Sequence, residues 1–206
     1  MSKKVITRSE IDQMESRTRA NLINTISGFK SANLIGTKCT NGLVNLAVFN
    51  SVIHLGSNPP LLGMTLRPVS VPRHTFENLR DSGFYTINHI HADIIDEAHQ
   101  TSASYEREKN EFEAVGLNEE YLEGFPAPFV KESRIRIGMR YLDDLLIKQN
   151  DTRLIIGEVE LLNYDEEFRQ EDGSLDLAAA DTVSISGLDS YYLPRLIKKL
   201  KYARPS

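Results

Sequence analysis

The sequence predicts a mainly β fold of the α+β class: an antiparallel barrel of about six strands with helical additions. Short runs of apolar, β-branched and aromatic residues recur at hairpin spacing, and the first three runs follow one another without an intervening helix. A parallel α/β sheet would instead need a helix after nearly every strand. No repeat, low-complexity tract or Pro/Gly/Ser linker divides the chain. Residues 1–206 are therefore expected to form a single domain.

A helical arm is expected at the start of the chain, over about residues 9–27. Ser9 suits an N-cap, apolar residues then recur at roughly helical spacing, and Gly28 suits the residue that follows a helix. Beyond the arm, Asn41-Gly42 is a hairpin signal and Pro59-Pro60 requires a loop. The chain should therefore change from helix to hairpin-connected strands near residue 32.

The remaining elements follow from local patterns. Alternating apolar residues predict strands, and segments with helical spacing between them predict helices. Helices are expected at residues 75–79 and 93–105, within an excursion at 106–128, and in the tail from residue 189. Strands are expected at residues 33–39, 43–53, 61–66, 84–90, 133–140, 152–164 and 182–186.

Composition excludes several classes of protein. Lys and Arg number 24 and Asp and Glu 29, so the formal charge is −5, whereas nucleic-acid-binding surfaces are normally basic. No apolar run approaches the roughly 20 residues that cross a bilayer, and the polar start of the chain does not resemble a signal peptide. A single cysteine, Cys39, excludes an internal disulfide framework. These features predict a cytoplasmic protein with neither a nucleic-acid nor a membrane partner.

Two clusters of polar residues are candidates for a ligand site. Asn45, Asn50 and Ser51 interrupt an apolar strand, where they need hydrogen-bond partners such as a polar ligand, unless they face solvent. Arg67 and Thr75 belong to a second cluster, which also contains Arg73 and His74. Because Thr75 is close to the start of a predicted helix, this cluster suits an anion; the alternative is a solvated basic loop with Thr75 as an N-cap.

A third cluster contains histidines and carboxylates. His89 and His91 share a strand face if the strand continues, and Asp96 and His99 share a helix face. Such a set could bind a metal ion, although capping and packing roles are the alternative. Dinucleotide-binding, P-loop and serine-hydrolase motifs are absent from the sequence. Neither Cys39 nor the carboxylate clusters make a convincing catalytic pair.

Nine short motifs occur along the chain in an order and spacing that together are specific. They are Gly36-Thr37, Asn45-Leu46-Ala47-x-Phe49-x-Ser51-Val52, Asn58-Pro59-Pro60-Leu61, Arg67-Pro68, residues 74–79, residues 85–89, residues 98–103, residues 127–133 and Gly187-Leu188-Asp189. The chain resembles, from about residue 21 to residue 192, the flavin reductase-like group of FMN-binding split barrels. The resemblance implies a six-stranded Greek-key split barrel, a homodimer and FMN at the dimer interface.

The resemblance further implies that electrons pass from NADH or NADPH through FMN to free flavin or another small-molecule acceptor. It assigns no catalytic acid or base and no metal ligand. It does assign nine residues to the FMN site: Asn45, Leu46 and Ala47 along the isoalloxazine ring, Asn50 and Ser51 at the ribityl chain or phosphate, Arg67 and Thr75 at the phosphate, and Asn88 and His89 close to the flavin.

Two departures from the family pattern keep other functions open. Many relatives have Thr-x-Ser-Ser where this chain has Asn45-Leu46-Ala47-Val48, and some have an acidic residue in place of His74. One alternative is an FMN-binding electron carrier that does not turn over NAD(P)H. The others are a metal-dependent enzyme built on His89, His91 and His99, and an interaction module that has lost the flavin.

Overall fold

The computed structural model describes residues 3–205. It contains twelve strands, five α-helices and two short 3₁₀ helices. The α-helices are α1 (Arg8–Gln13), α2 (Ser16–Ile26), α3 (His74–Ser82), α4 (Ile95–Gln100) and α5 (Glu111–Val115). The strands are β1 (Lys30–Ser31), β2 (Asn33–Lys38), β3 (Val44–Phe49), β4 (Ile53–Ser57), β5 (Pro60–Leu66), β6 (Phe84–His89), β7 (Glu119–Glu120), β8 (Phe129–Val130), β9 (Ile135–Ile147), β10 (Thr152–Tyr164), β11 (Ser184–Ser186) and β12 (Ser190–Tyr192).

The fold is dominated by one antiparallel sheet, as the sequence predicts. Its seven strands follow the order β3-β2-β6-β9-β10-β5-β4, so the first and last strands of the order are consecutive in the chain. The seventh strand arises because the predicted strand at residues 43–53 is broken: β3 ends at Phe49 and β4 begins at Ile53. The break redirects the chain at Asn50 and Ser51, two of the predicted site residues.

Close packing between β6 and β10 depends on a glycine that leaves room for a buried tyrosine ring. Tyr85 on β6 is fully buried, and its ring lies against β10 at Gly157. A Cβ at Gly157 would overlap the Tyr85 hydroxyl, so only glycine fits there. Ile35, Met64 and Ile155 complete this part of the core with no exposed surface. The barrel is therefore a rigid platform for the loops at its ends.

The N-terminal helices and the described residues after β12 lie outside this core. Neither α1 nor α2 contains a buried residue, and α2 leads through Phe29 into a small sheet with the order β1-β11-β12. The Phe29 and Tyr192 rings meet edge to face with centroids 4.8 Å apart, which joins the two ends of the chain. The helix expected from residue 189 is wrong: β12 occupies residues 190–192 and residues 193–205 are not helical.

The stretch between β6 and β9 is less helical than expected. The predicted helix at residues 93–105 is reduced to a 3₁₀ turn (Ala92–Ile94) and α4, and the excursion at 106–128 contains only α5 and β7. Polar and glycine residues interrupt the pattern there, so most of this stretch forms a loop whose apolar side chains pack onto the barrel. No helix within residues 3–205 is both long and apolar enough to span a membrane.

Candidate functional site

A cleft of about 760 Å³ lies beside β3 and the start of α3. Its volume falls within the roughly 300–1,000 Å³ that small-molecule sites occupy. The walls come from α2, β3, β5, α3, the segment at 99–105 and the turn between β11 and β12. The lining includes seven of the nine residues that the resemblance assigns to the flavin, namely Asn45, Leu46, Ala47, Asn50, Ser51, Arg67 and Thr75.

Strand β3 presents its backbone to this cleft because it is the edge strand of the sheet. One row of its N–H and C=O groups pairs with β2, and the other row has no strand partner among residues 3–205. The Leu46 N–H belongs to that second row, since it donates to the Glu111 carboxylate across the cleft wall at 3.2 Å. The backbone of β3 can therefore offer hydrogen bonds to a planar polar ligand.

Asn50 and Ser51 lie at the break between β3 and β4, and both side chains have partners within the protein. The Asn50 amide donates to the Gly187 carbonyl at 3.0 Å. The Ser51 hydroxyl donates to the Thr65 carbonyl at 3.0 Å and accepts from the Thr65 N–H at 3.1 Å. These bonds hold the break in place against β5 and the β11–β12 turn, so the two residues shape the cleft as well as line it.

The start of α3 is the electropositive end of the cleft. The N-cap of this helix, Arg73, makes no side-chain cap, and the first helical bond runs from the Glu77 N–H to the Arg73 carbonyl. The N–H groups of the first turn therefore lack helical partners and carry the positive end of the helix dipole. Thr75 is buried in this turn and lines the cleft, and its hydroxyl lies 3.0 Å from the Asn45 amide.

Two arginines flank this helix start. Arg67 follows β5 and is exposed, and Arg73 is half-buried, with its Nε donating to the Pro68 carbonyl at 3.3 Å. Arg134, Arg136, Arg140 and Arg153 all pair with carboxylates. No such pair engages Arg67 or Arg73 in the part of the chain that the structure describes. Two uncompensated cations beside an uncapped helix suit a phosphate.

The structure places Asn88 and His89 away from the cleft. Asn88 is fully buried in β6, where its amide donates to the Leu34 carbonyl and accepts from the Val130 N–H. His89 lines a separate apolar pocket of about 210 Å³ between β1, β2, β11 and residues 177–178. Its Nδ1 is buried with no hydrogen-bond partner, and burial lowers the pKa of His89 to about 4.

The histidines of the metal hypothesis do not converge either. His91 bonds the Glu132 carbonyl through Nε2 at 3.0 Å, and His99 contacts the Tyr191 hydroxyl through Nδ1 at 3.2 Å. Within residues 3–205, no group of three or more His, Cys, Asp or Glu side chains is arranged to hold a metal ion. His91 caps the 3₁₀ helix by accepting from the Asp93 N–H, and the His99 ring packs edge to face against Tyr191 with centroids 5.8 Å apart.

Among the residues of the cleft wall that sequence reasoning missed is a buried carboxylate, Glu111. It begins α5 directly after the N-cap Asn110, and only 5% of it is exposed. Burial raises the pKa of Glu111, while hydrogen bonds from its own N–H and the Leu46 N–H, and the charge of Arg107, act in the opposite direction. In the sequence it belongs to a run of charged residues that looks like a solvated helix. Only the fold brings it beneath β3.

Comparisons with known proteins agree with this architecture. The chain is 50% identical to a split-barrel protein of Shewanella frigidimarina NCIMB 400 assigned as a flavin reductase, with a TM-score of 0.94 over 98% of this chain and 100% of that chain. An FMN-binding protein of Thermus thermophilus, solved with 1-cyclohex-2-enone bound, is 18% identical, with a TM-score of 0.69 over 86% of this chain and 91% of that chain. The second likeness shows the fold alone.

Two sequence matches complete the comparison. An uncharacterized protein of Halalkalibacterium halodurans is 30% identical over 105 residues, so the match spans about half the length of that relative and half of this chain. The family model described as "Flavin reductase like domain" matches residues 27–179, well over half of the chain and most of the main sheet. The protein belongs to the flavin reductase-like domain family, and its fold is the split barrel of that family.

Proposed function

We propose that the protein binds FMN in the cleft beside β3 and acts as an oxidoreductase, taking electrons from NADH or NADPH and passing them to flavin or another small acceptor. The observation that carries the proposal is the convergence of an uncapped helix start, two uncompensated arginines and an open strand edge on one cleft. The helix start and the arginines suit the anionic phosphate of FMN, and the strand edge suits its flat heteroaromatic ring. Asn50 and Ser51, which also line the cleft, suit its chain of hydroxyls.

The phosphate suits the start of α3. Its N–H groups, the Thr75 hydroxyl and the Arg67 and Arg73 guanidinium groups are all donors, and Arg can bind phosphate through two parallel bonds. The ring suits β3, where the Ala47 side chain is small, the Leu46 side chain packs into the core, and the strand edge offers backbone groups. The ribityl hydroxyls would then lie between them, near Asn50 and Ser51.

Bound FMN would supply the hydride and electron chemistry. The residues of this chain then bind and orient the flavin and exclude water from it. This division of labour agrees with the cleft, since its titratable groups do not form an acid–base pair. The names of the S. frigidimarina and T. thermophilus proteins, flavin reductase and FMN-binding protein, support the same assignment.

A homodimer is part of the proposal, because the cleft is continuous with an exposed apolar sheet face. On the outer side of β4, β5, β10 and β9, the exposed side chains of Ile53, Leu55, Leu145 and Ile147 surround Leu154. Thr65 and Thr152 belong to the same face and line the cleft. A second copy on this outer sheet face would bury it and close the open side of the cleft.

An absorption spectrum of the freshly purified protein tests the function. We expect oxidised-flavin bands, at one FMN per chain after loading, that bleach when NADH or NADPH is added without oxygen. Bands that are bleached by dithionite but not by NADH or NADPH would indicate an FMN-binding electron carrier instead of an NAD(P)H-dependent oxidoreductase. A colourless protein that takes up no added FMN would contradict the proposal and leave an interaction module. The cytoplasmic location stays a proposal that the single free cysteine supports.

A further inference from the structure

We propose that Glu111 is a positioning residue for the anion end of the cleft: acting through Asn45, its protonation state decides whether the Thr75 hydroxyl can donate to a bound phosphate. The inference rests on the proposed FMN site and adds to it a residue that the sequence motifs do not contain. It also predicts how the affinity for the phosphate group depends on pH.

The three side chains form a buried row across three elements. Glu111 on α5 accepts from the Leu46 N–H through Oε2 at 3.2 Å. The Asn45 amide on β3 has one end 3.1 Å from the other carboxyl oxygen of Glu111 and the other end 3.0 Å from the Thr75 hydroxyl on α3. All three residues are at most 6% exposed, so their hydrogen bonds must be satisfied by one another or by a ligand.

When Glu111 is ionised, the hydrogen bonds of the row can run in only one direction, with donors pointing towards Glu111. A carboxylate only accepts, so the amide nitrogen of Asn45 must face Glu111. The amide oxygen then accepts from the Leu46 N–H at 3.2 Å and from the Thr75 hydroxyl at 3.0 Å. Thr75 has a single hydroxyl proton, which is now used in the hydrogen bond to the Asn45 amide oxygen. Thr75 can offer a ligand only its lone pairs, which repel a phosphate oxygen.

When Glu111 is protonated, the direction of the row reverses. The carboxylic acid donates to the Asn45 amide oxygen, and the amide nitrogen donates to the Thr75 hydroxyl oxygen at 3.0 Å. In this orientation the amide nitrogen also lies 3.2 Å from the Leu46 N, a contact between two donors that opposes the arrangement. The Leu46 N–H keeps its bond to Glu111 Oε2. The Thr75 proton is then free to point into the cleft. Burial raises the pKa of Glu111, so this arrangement persists to a higher pH than for an exposed carboxyl group.

Other charged groups around the cleft shift this balance. Arg107, from the loop before α5, favours the ionised carboxylate. The remaining titratable side chains of the cleft wall are Arg67 after β5, Arg73 and His74 at α3, His99 on α4, Tyr105 in the following loop and Asp189 in the β11–β12 turn. A bound phosphate acts against Arg107, because its negative charge favours the neutral form of Glu111. Phosphate binding and protonation of Glu111 should therefore favour each other.

The experiment compares FMN dissociation constants for the natural protein and Glu111→Gln across the whole pH range in which both remain folded. Glutamine imitates the protonated acid, since its amide donates to Asn45 and accepts from the Leu46 N–H. We expect the two proteins to bind FMN equally at low pH and the natural protein to weaken by about tenfold relative to the variant at high pH. The titration of FMN's own phosphate cancels in this ratio.

Two further variants separate the hydrogen-bonded row from simple charge repulsion. In a Thr75→Val background, Glu111→Gln should no longer change the pH dependence, whereas Thr75→Ser should behave as the natural protein does. For riboflavin, which lacks the phosphate, the ratio of the dissociation constants of the natural protein and Glu111→Gln should be the same at every pH. Thermal melting of each variant confirms that it is folded.

The outcomes are distinct. A pH-independent ratio between the natural protein and Glu111→Gln overturns the inference, even if FMN binds. A pH-dependent ratio that survives in Thr75→Val also overturns it, since repulsion alone would then explain the effect. If the natural protein fails to bind FMN at any pH, the proposed function itself has failed and the inference falls with it.

Discussion

The cleft beside β3 and the pocket around His89 differ in the chemistry of their walls. Asn45, Thr75 and Glu111 converge on the cleft from three elements, together with two arginines. The pocket is smaller, at about 210 Å³ against 760 Å³, and His89 contributes to it a ring nitrogen without a partner. A histidine in a cavity is therefore weaker support for a site than several polar groups directed at one space.

Removing the cations at the helix start should have the largest effect. Arg67→Ala combined with Arg73→Ala deletes both charged partners of the phosphate, and each charge-assisted bond is worth roughly tenfold to a hundredfold in affinity. We expect FMN binding, followed by titration calorimetry, to weaken by at least about a hundredfold, with a much smaller loss for riboflavin. Arg169→Ala, at an exposed arginine that does not line the cleft, is the control. Unchanged FMN affinity would remove the arginines from the site.

A charge on the outer sheet face should disrupt the proposed dimer and weaken FMN binding in the cleft. Leu145→Asp places a carboxylate directly opposite Leu154 in the proposed interface, so sedimentation should show a monomer of 23.3 kDa. FMN affinity should then fall by about tenfold, because the cleft loses its cover. Leu162→Asp, at the far end of β10 and also exposed, is the control and should remain dimeric. A natural protein that sediments as a monomer and still holds FMN would refute the shared site.

His89 should affect stability and leave the flavin unaffected. Burial lowers its pKa to about 4, whereas an unfolded histidine titrates near 6.5. Between these values the unfolded state binds more protons, so stability should fall as the pH is lowered through this window. His89→Leu should remove roughly 1–3 kcal/mol of that pH dependence in urea unfolding and change FMN affinity less than about twofold. The exposed His54, as His54→Gln, is the control. A large loss of FMN affinity would place His89 at the flavin after all.

Metal removal should have the smallest effect. His89, His91 and His99 have separate surroundings, so dialysis against EDTA should change neither the melting temperature nor the flavin spectrum. Elemental analysis before and after dialysis checks that nothing bound was removed. If dialysis removed a metal ion and the activity was lost with it, the result would support the hypothesis of a metal-dependent enzyme.

Much of the fold could be predicted because its signals are local. The break at Asn50 and Ser51 was harder to predict, since the apolar pattern resumes at Val52 and Ile53, and only the bonds of the two polar residues to Gly187 and Thr65 reveal the change of direction. The helix predicted for the tail from residue 189 is absent, because that prediction also rested on residue spacing alone. The apolar spacing of the tail is helical, but spacing alone does not provide a surface on which a helix could pack.

The sequence by itself determined the class of fold, the family and the polar residues along β3 and α3, because strand alternation, turn residues and motif order are all properties of neighbouring residues. The tertiary structure decided which of those residues meet. It brought Glu111, 66 positions after Asn45, beneath the edge strand, and it separated Asn88 and His89 from the cleft. Contacts between distant segments depend on how elements pack, and packing is set by the whole core and not by any one motif.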